Sequence, residues 1–332
     1  GEGRQGAARD CYFAPVKLRT RIAPTPSGLL HPGNAWSFTL AWLAARASGG
    51  TVRLRIDDLD AARARDEWLD DIFASLRWLG LDWDHGPRDA ADFKAAHSQR
   101  LHLARYHTGI GMLDAAGHLY ACTCTRSALR AAGAGAVYPG TCRNAGHAHA
   151  ASALRFRIPV GEVPLRGPDG GRATLNPARD IGDFVIRRRD GEPAYQLASV
   201  LDDTAHGINF IVRGLDLAPS TGAQLALAAA LGLPDFSATR FLHHPLLLDD
   251  AETKLSKSRG AESLEALRAR FPDPAPVLRW FAAQLGRTGE DVYSVRTARD
   301  LLSGFDPGRV PDHPLRLSDF REFLAGMRMD AR

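Results

Sequence analysis

The chain has 332 residues, 45% hydrophobic and 24% charged, with a formal net charge of +4. These proportions lie near globular averages and exclude global disorder, while the small basic excess suits a phosphate-bearing partner without requiring one. No apolar run approaches the ~20 residues of a membrane-spanning helix, and residues 1–17 are charged where a secretory signal needs an apolar core, so a flexible leader, no membrane partner and a cytoplasmic location are expected.

Residues 18–23 read as a strand that runs into the stiff turn Pro24-Thr25-Pro26-Ser27-Gly28. Trp36, Leu40, Leu43 and Ala44 then recur at helical spacing until Gly49-Gly50. Residues 52–56 alternate as a strand and end in Asp57, Asp58 and Asp60, and Trp68, Ile72, Phe73 and Leu76 mark one face of the next helix. Strand–helix–strand–helix order within 80 residues predicts an α/β fold, with helices packed on a Rossmann-like parallel sheet.

A helix is expected over residues 97–116, then a cysteine-bearing stretch, then short strands of an inserted subdomain over 153–189. Helices over 194–201 and 219–231 flank a strand at 209–213. A strand at 241–248 leads into a lysine-rich loop, and periodic Leu and Phe beyond 260 suggest a small helical bundle. The domain reading is a leader (1–17), a first catalytic half (18–118), an insertion (119–190), a second catalytic half (191–260) and a helical C-terminal region (261–332).

Two segments carry nucleotide chemistry. His31-Pro32-Gly33-Asn34 sits at a strand-to-helix junction, where unpaired N–H groups and the positive end of the helix dipole favour phosphates. Gly33 lets a ligand approach the backbone, and His31 can donate to charge developing on an α-phosphate. Lys254-Leu255-Ser256-Lys257-Ser258 places two lysines three apart in a loop, suited to clamping a triphosphate. Either segment alone is most simply a polar turn or a solvated basic loop.

A third cluster is Cys122-Thr123-Cys124 followed by Tyr138-Pro139-Gly140-Thr141-Cys142. Three thiolates within 21 positions suit tetrahedral Zn²⁺ better than a disulfide framework. From the residues alone, His147 or His149 would supply the fourth ligand, being the commoner zinc donors.

Together and in this order, the two nucleotide segments resemble the signatures of class I aminoacyl-tRNA synthetases. The runs from Arg21 to His31, Arg55 to Asp60, Tyr195 to Asp203 and Ile211 to Asp216 resemble the glutamate-specific branch, over roughly residues 18 to 310. The resemblance implies an enzyme that uses ATP and Mg²⁺ to activate L-glutamate as its adenylate before transfer to tRNA. It implies His31, Lys254 and Lys257 as catalytic groups. ATP would meet His31, Gly33, Asn34 and Lys257, with Asp216 on the ribose and the backbone of Leu246 and Leu247 on adenine. Glutamate would meet Arg21, Ala23, Thr25, Asp57, Tyr195, Ser199 and Arg213. Two arginines suit a substrate with two carboxylates.

Some positions depart from the family pattern. Asp57 stands where glutamate is usual for holding the substrate ammonium, and its shorter reach leaves room for a water. Ser199 stands where tRNA-charging relatives often have asparagine, and Pro32 replaces a more usual apolar residue.

Full glutamate–tRNA ligases continue into anticodon-reading helical domains, for which little chain follows residue 310 here. The resemblance therefore narrows to the shortened glutamyl-Q tRNA(Asp) synthetases, which place glutamate on queuosine in the anticodon loop of tRNA(Asp). That subfamily nominates Tyr138 as the fourth ligand of a structural Zn²⁺ beside Cys122, Cys124 and Cys142. A monomer is expected. A truncated ligase for tRNA(Glu), adenylation for a non-tRNA acceptor, and a non-catalytic binding module are the competing readings.

Overall fold

The computed structural model of the protein describes residues 17–60, 65–131, 133, 135, 137–253 and 263–327. Lys254 and Lys257 therefore lie outside the described residues, as does the leader up to residue 16.

Strand β1 (Arg19–Ile22) leads through the Pro24–Gly28 turn into helix α1 (Pro32–Ala47). Pro32 occupies the first helical turn, where its missing N–H costs nothing, and the Asn34 side chain accepts from the His31 backbone N–H at 3.1 Å. Strand β2 (Thr51–Leu54) returns parallel to β1, with Arg21 opposite Arg53, and helix α2 (Asp66–Trp78) follows. The single apolar face expected for α1 is too narrow: Ala35, Trp36, Phe38, Leu40, Ala41, Trp42, Leu43, Ala44 and Ala45 are all buried. A helix covered on most sides loses one-sided periodicity.

The helix expected over 97–116 is divided. A π-type turn at Phe93–His97 stops at Ser98, whose backbone is extended (ψ 134°), and a 3-10 turn at Gln99–His102 precedes α3 (Leu103–Ala115). Asp58 causes the break: it accepts from the Ser98 hydroxyl at 2.5 Å and the Gln99 N–H at 2.8 Å. A side chain that takes a backbone N–H in this way competes with continuous helix.

Strands β3 (Leu119–Cys122), β4 (Ala153–Phe156) and, after an intervening hairpin, β7 (Val185–Arg187) form an antiparallel sheet that carries the cysteine-bearing loop. The hairpin is β5 (Val163–Arg166) with β6 (Arg172–Leu175). It leaves that sheet: Arg166 of β5 pairs in parallel with Arg240 of the larger sheet. The 119–190 stretch is thus divided between two sheets.

Helix α4 (Tyr195–Ala205) leads to β8 (Phe210–Gly214), then to α5 (Ala218–Ala230) and β9 (Arg240–His244), which is parallel to β8. The Asn209 N–H donates to the Arg19 carbonyl at 3.0 Å, bringing the β8 edge beside β1. The site thus sits where parallel strands end, at a break between two sheet halves, the usual ligand position in such folds.

A two-residue strand β10 (Leu247–Leu248) pairs with β11 (Leu315–Arg316). Between them lie α6 (Leu264–Arg270) and α7 (Ala275–Gln284), and α8 (Leu317–Gly326) follows β11. Trp280 and Phe281 of α7 pack on Trp36, joining this helical region to the main apolar core. A Leu264 N–H to Leu30 carbonyl bond of 2.7 Å ties it to the His31 turn. No helix among the described residues is long and apolar enough to cross a membrane.

Candidate active site and thiol cluster

A cavity of about 650 Å³ opens at the ends of β1, β2 and β8. Of the residues singled out from the sequence, Arg21, Ala23, Thr25, His31, Gly33, Asn34, Asp57, Tyr195, Arg213, Asp216, Leu246 and Leu247 all line it. Ser199 lies behind the wall, almost fully buried, with its Oγ 3.5 Å from Nη2 of Arg55.

Two glycines fit the backbone to this space. A Cβ on Gly33 would come within 3.1 Å of the His31 ring, and one on Gly214 within 2.6 Å of Asp216 Oδ1 and 2.8 Å of Leu246 Cδ2. Gly33 therefore leaves His31 its place at the helix start, and Gly214 leaves Asp216 its place beyond β8.

The polar wall is a buried network of three guanidinium and two carboxylate groups. Arg55 grips Asp57 with two bonds, Nε–Oδ1 at 2.7 Å and Nη2–Oδ2 at 3.2 Å, and reaches Asp203 with Nη1 at 2.7 Å. Arg21 reaches the same Asp203 with Nε at 3.2 Å and donates to the Val212 carbonyl at 3.3 Å. Burial disfavours the Asp203 carboxylate, but the charges of Arg55, Arg21 and Arg213 outweigh it and hold its pKa low. Burial would likewise lower Arg55, yet Asp203 and Asp57 push it well above its ordinary value. At Asp57 burial wins over Arg55, and the carboxyl lies above the usual carboxylate range. Both Asp57 oxygens face Arg55, so any ligand ammonium would share an already engaged carboxylate.

Arg213 differs from its neighbours. It is 3% exposed, its Cζ lies 5.5 Å from the centre of the Phe241 ring, and of its nitrogens only Nη1 makes hydrogen bonds, to Gln224 Oε1 at 2.8 Å and Thr221 Oγ1 at 3.3 Å. Its Nε and Nη2 are buried without a hydrogen-bond partner. Burial lowers its pKa to about 10, against Tyr195, which raises it, and with Arg21, which lowers it further. A buried donor left unsatisfied costs about 1–3 kcal/mol, more when charged. Such a cost is expected where an anionic ligand completes the site.

Sequence reasoning did not single out Arg55, Asp203, Thr221 or Gln224. Arg55 and Asp203 do stand inside the quoted family segments, at the start of one and the end of another. Their pairing spans 148 residues, so no local pattern reveals it.

The second cluster lies on the other side of a smaller cavity of about 520 Å³, which shares Thr25, Asp57 and Tyr195 with the first and is also lined by Cys122 and Cys124. The Sγ atoms of Cys122, Cys124 and Cys142 all lie within 4.8 Å of one another. The Tyr138 oxygen is 3.5 Å from Cys122 Sγ and 3.6 Å from Cys124 Sγ, and accepts the Cys142 N–H at 2.9 Å. Neither His147 nor His149 belongs to the group, and His149 faces Asp114 at 3.4 Å. At Cys142, burial raises the thiol pKa, but the Thr123 backbone N–H and the Tyr138 hydroxyl outweigh it and bring it down to about 6. At Cys124 burial dominates and raises it. Three converging soft donors, one readily ionised, fit a tetrahedral thiolate-binding metal such as zinc.

Residues 17–312 match the family described as tRNA synthetases class I (E and Q), catalytic domain, and the chain belongs to that family and is a ligase of the aminoacyl-tRNA synthetase type. Its curated relatives narrow the class. The chain is 40% identical over 319 residues to a Glutamyl-Q tRNA(Asp) synthetase of Nitratidesulfovibrio vulgaris, covering 90% of this chain and 95% of the relative. It is 39% identical over 313 residues to one from Symbiobacterium thermophilum, with the same two coverages. A Glutamate--tRNA ligase 2 of Acidithiobacillus ferrooxidans is 38% identical over 324 residues, but only 65% of that longer protein is covered. Among solved structures, a glutamate-tRNA synthetase from Elizabethkingia anophelis superposes with a TM-score of 0.74 at 23% identity, covering 92% of this chain and 70% of that one. That last likeness shows the class I synthetase fold.

Proposed function

We propose that the protein activates L-glutamate with ATP and transfers it from glutamyl-adenylate to queuosine in the anticodon loop of tRNA(Asp). The observation that carries the glutamate step is Arg213, a buried guanidinium at the cavity wall with two unengaged donors. Arg21, from the neighbouring strand β1, adds a second cation. Glutamate brings two carboxylates, and the cavity offers two guanidinium groups to match them.

In this reading the substrate side-chain carboxylate takes the free edge of Arg213, with the Tyr195 hydroxyl beside it. The ammonium group faces Asp57, and Thr25 and the Ala23 backbone border the pocket. Ser199 supports Arg55 from behind. ATP lies along the start of α1, with Gly33 and Asn34 next to its phosphates, Asp216 on the ribose and the Leu246–Leu247 backbone on adenine. The α-carboxylate attacks the α-phosphorus and pyrophosphate leaves. His31 donates to the charge gathering on the α-phosphate, and Lys254 and Lys257 neutralise the leaving pyrophosphate. Mg²⁺ carried with ATP shields the phosphates. No protein nucleophile is needed, because positioning and charge stabilisation supply the catalysis. An acceptor hydroxyl then attacks the mixed anhydride and releases AMP.

Cys122, Cys124, Cys142 and Tyr138 are assigned to a structural Zn²⁺. The acceptor assignment draws on the relatives that carry the glutamyl-Q name and are covered over 95% of their length. The test is transfer of labelled glutamate to tRNA(Asp) with and without queuosine, and to tRNA(Glu). Label on queuosine-bearing tRNA(Asp) alone is expected. Label on tRNA(Glu) alone would replace this acceptor with the 3′ end of tRNA(Glu).

A further inference from the structure

The layer behind Arg213 is electrically neutral. Gln224 on α5 is fully buried, and its Oε1 makes the shorter contact to Arg213, at 2.8 Å. Its Nε2 makes no hydrogen bond. A glutamate of the same shape would therefore lose no donor contact and would turn a charge-assisted hydrogen bond into an ion pair. An acid at this position would pair the charge of Arg213 from within the fold, yet the chain carries the amide.

The neighbouring contacts are neutral as well. Thr221 Oγ1 lies 3.3 Å from Arg213 Nη1, 3.1 Å from the Leu217 carbonyl and 2.8 Å from His243 Nε2. With the single Thr221 proton on the Leu217 carbonyl, His243 donates from Nε2. Burial and the charge of Arg213 lower the His243 pKa to about 4, so the ring is uncharged at neutral pH. Asp203, a buried acid of the same network, is occupied by Arg21 and Arg55, and Asp57 by Arg55. Three guanidinium groups against two carboxylates leave a formal charge of +1, and Arg213 is the group with no acid of its own.

We infer that Gln224 is a specificity-determining positioning residue: it fixes Arg213 through a neutral acceptor, leaving the guanidinium charge for a side-chain carboxylate on the substrate and against the corresponding amide. This inference rests on the reading that the cavity takes glutamate. Glutamine would bring N–H donors or a weaker neutral acceptor to the same edge, leaving the buried cation uncompensated. A site built to pair a charge rejects an analogue that lacks it far more strongly than it rejects a change of size. With an acid at 224, Arg213 would be neutralised from within, and the preference would shrink from both directions.

The experiment is ATP–pyrophosphate exchange driven by L-glutamate and by L-glutamine, in the wild type and in Gln224→Glu, Gln224→Met and Thr221→Asp. For Gln224→Glu, KM for glutamate should rise at least about tenfold with kcat changed much less, and glutamate-over-glutamine selectivity should fall at least about tenfold. KM for ATP should hold. Gln224→Met keeps the volume and adds no charge, so it should raise KM for glutamate while keeping selectivity. Thr221→Asp places the acid on the other Arg213 contact and should lower selectivity in the same way, including where Gln224→Glu does not fold. Unchanged selectivity in the acid variants, or an equal loss in Gln224→Met, would overturn the inference. A wild type that activates no glutamate even with tRNA(Asp) present would instead overturn the functional reading beneath it.

Discussion

The cavity wall and the cysteine cluster are both buried polar centres, built in opposite ways. The wall is assembled from strands and helices far apart in the chain, and one of its cations remains uncompensated. The cluster is drawn from residues 122–142, and its four side chains face one another. An uncompensated charge on rigid elements calls for a ligand that comes and goes, whereas converging soft donors on a loop call for a resident ion that holds the loop. Variants in the first region should change chemistry and spare the fold; variants in the second should do the reverse.

The largest break is expected at the lysine loop. Lys257→Ala should reduce adenylate formation by at least about a hundredfold in pyrophosphate exchange, with an unchanged melting temperature. Unchanged exchange would remove the loop from the mechanism. Next is Arg213→Met, which removes the unpaired cation while filling its space. KM for glutamate should rise at least about a hundredfold, whereas stability should hold or increase, because a buried uncompensated charge is lost. A destabilised variant that binds glutamate normally would make Arg213 a structural residue.

The cluster should respond the other way. Cys142→Ser should lose bound zinc in a metal assay and melt at lower temperature, yet retain exchange within about threefold while folded, since its side chain does not line the larger cavity. An equal loss of exchange and stability would erase the contrast between the two regions.

These contrasts were partly legible in the sequence. The strand–turn–helix at His31 and the order of Arg21, Tyr195, Arg213 and Asp216 mark the cavity, because each residue sits in a local segment with its own signature. The pairing of Arg55 with Asp203, and of Arg213 with Gln224, was not legible, since strand register and helix packing decide it rather than neighbours in sequence. The same holds for Ser98, where Asp58 from 40 residues away interrupts a helical pattern, and for the β5–β6 hairpin, whose membership of the larger sheet depends on one parallel pairing with Arg240. The cysteine spacing suggested a metal and the family resemblance nominated Tyr138, but spacing alone left His149 equally open; the folded loop puts Tyr138 against Cys122 and His149 against Asp114.

A separate effect is expected on acid stability. His206 and His243 are both lowered to about 4, chiefly by burial, with Arg53 and Arg213 respectively as the next cause. Folded values below the unfolded ~6.5 mean that the unfolded chain binds more protons between these limits. Their contribution is complete above about pH 6.5 and declines as pH falls toward 4. Denaturant midpoints should drop over that window, and His243→Gln should flatten part of the slope. A midpoint that rises on acidification would contradict the assignment of neutral rings.

If a buried, uncompensated Arg213 makes this cavity a glutamate site, the choice of amino acid will show it. The most direct measurement is ATP–pyrophosphate exchange with L-glutamate, L-glutamine and L-aspartate, each with and without tRNA(Asp). Exchange is expected with glutamate, and little with the other two. Equal exchange with glutamine, or none with glutamate even when tRNA(Asp) is present, would contradict it.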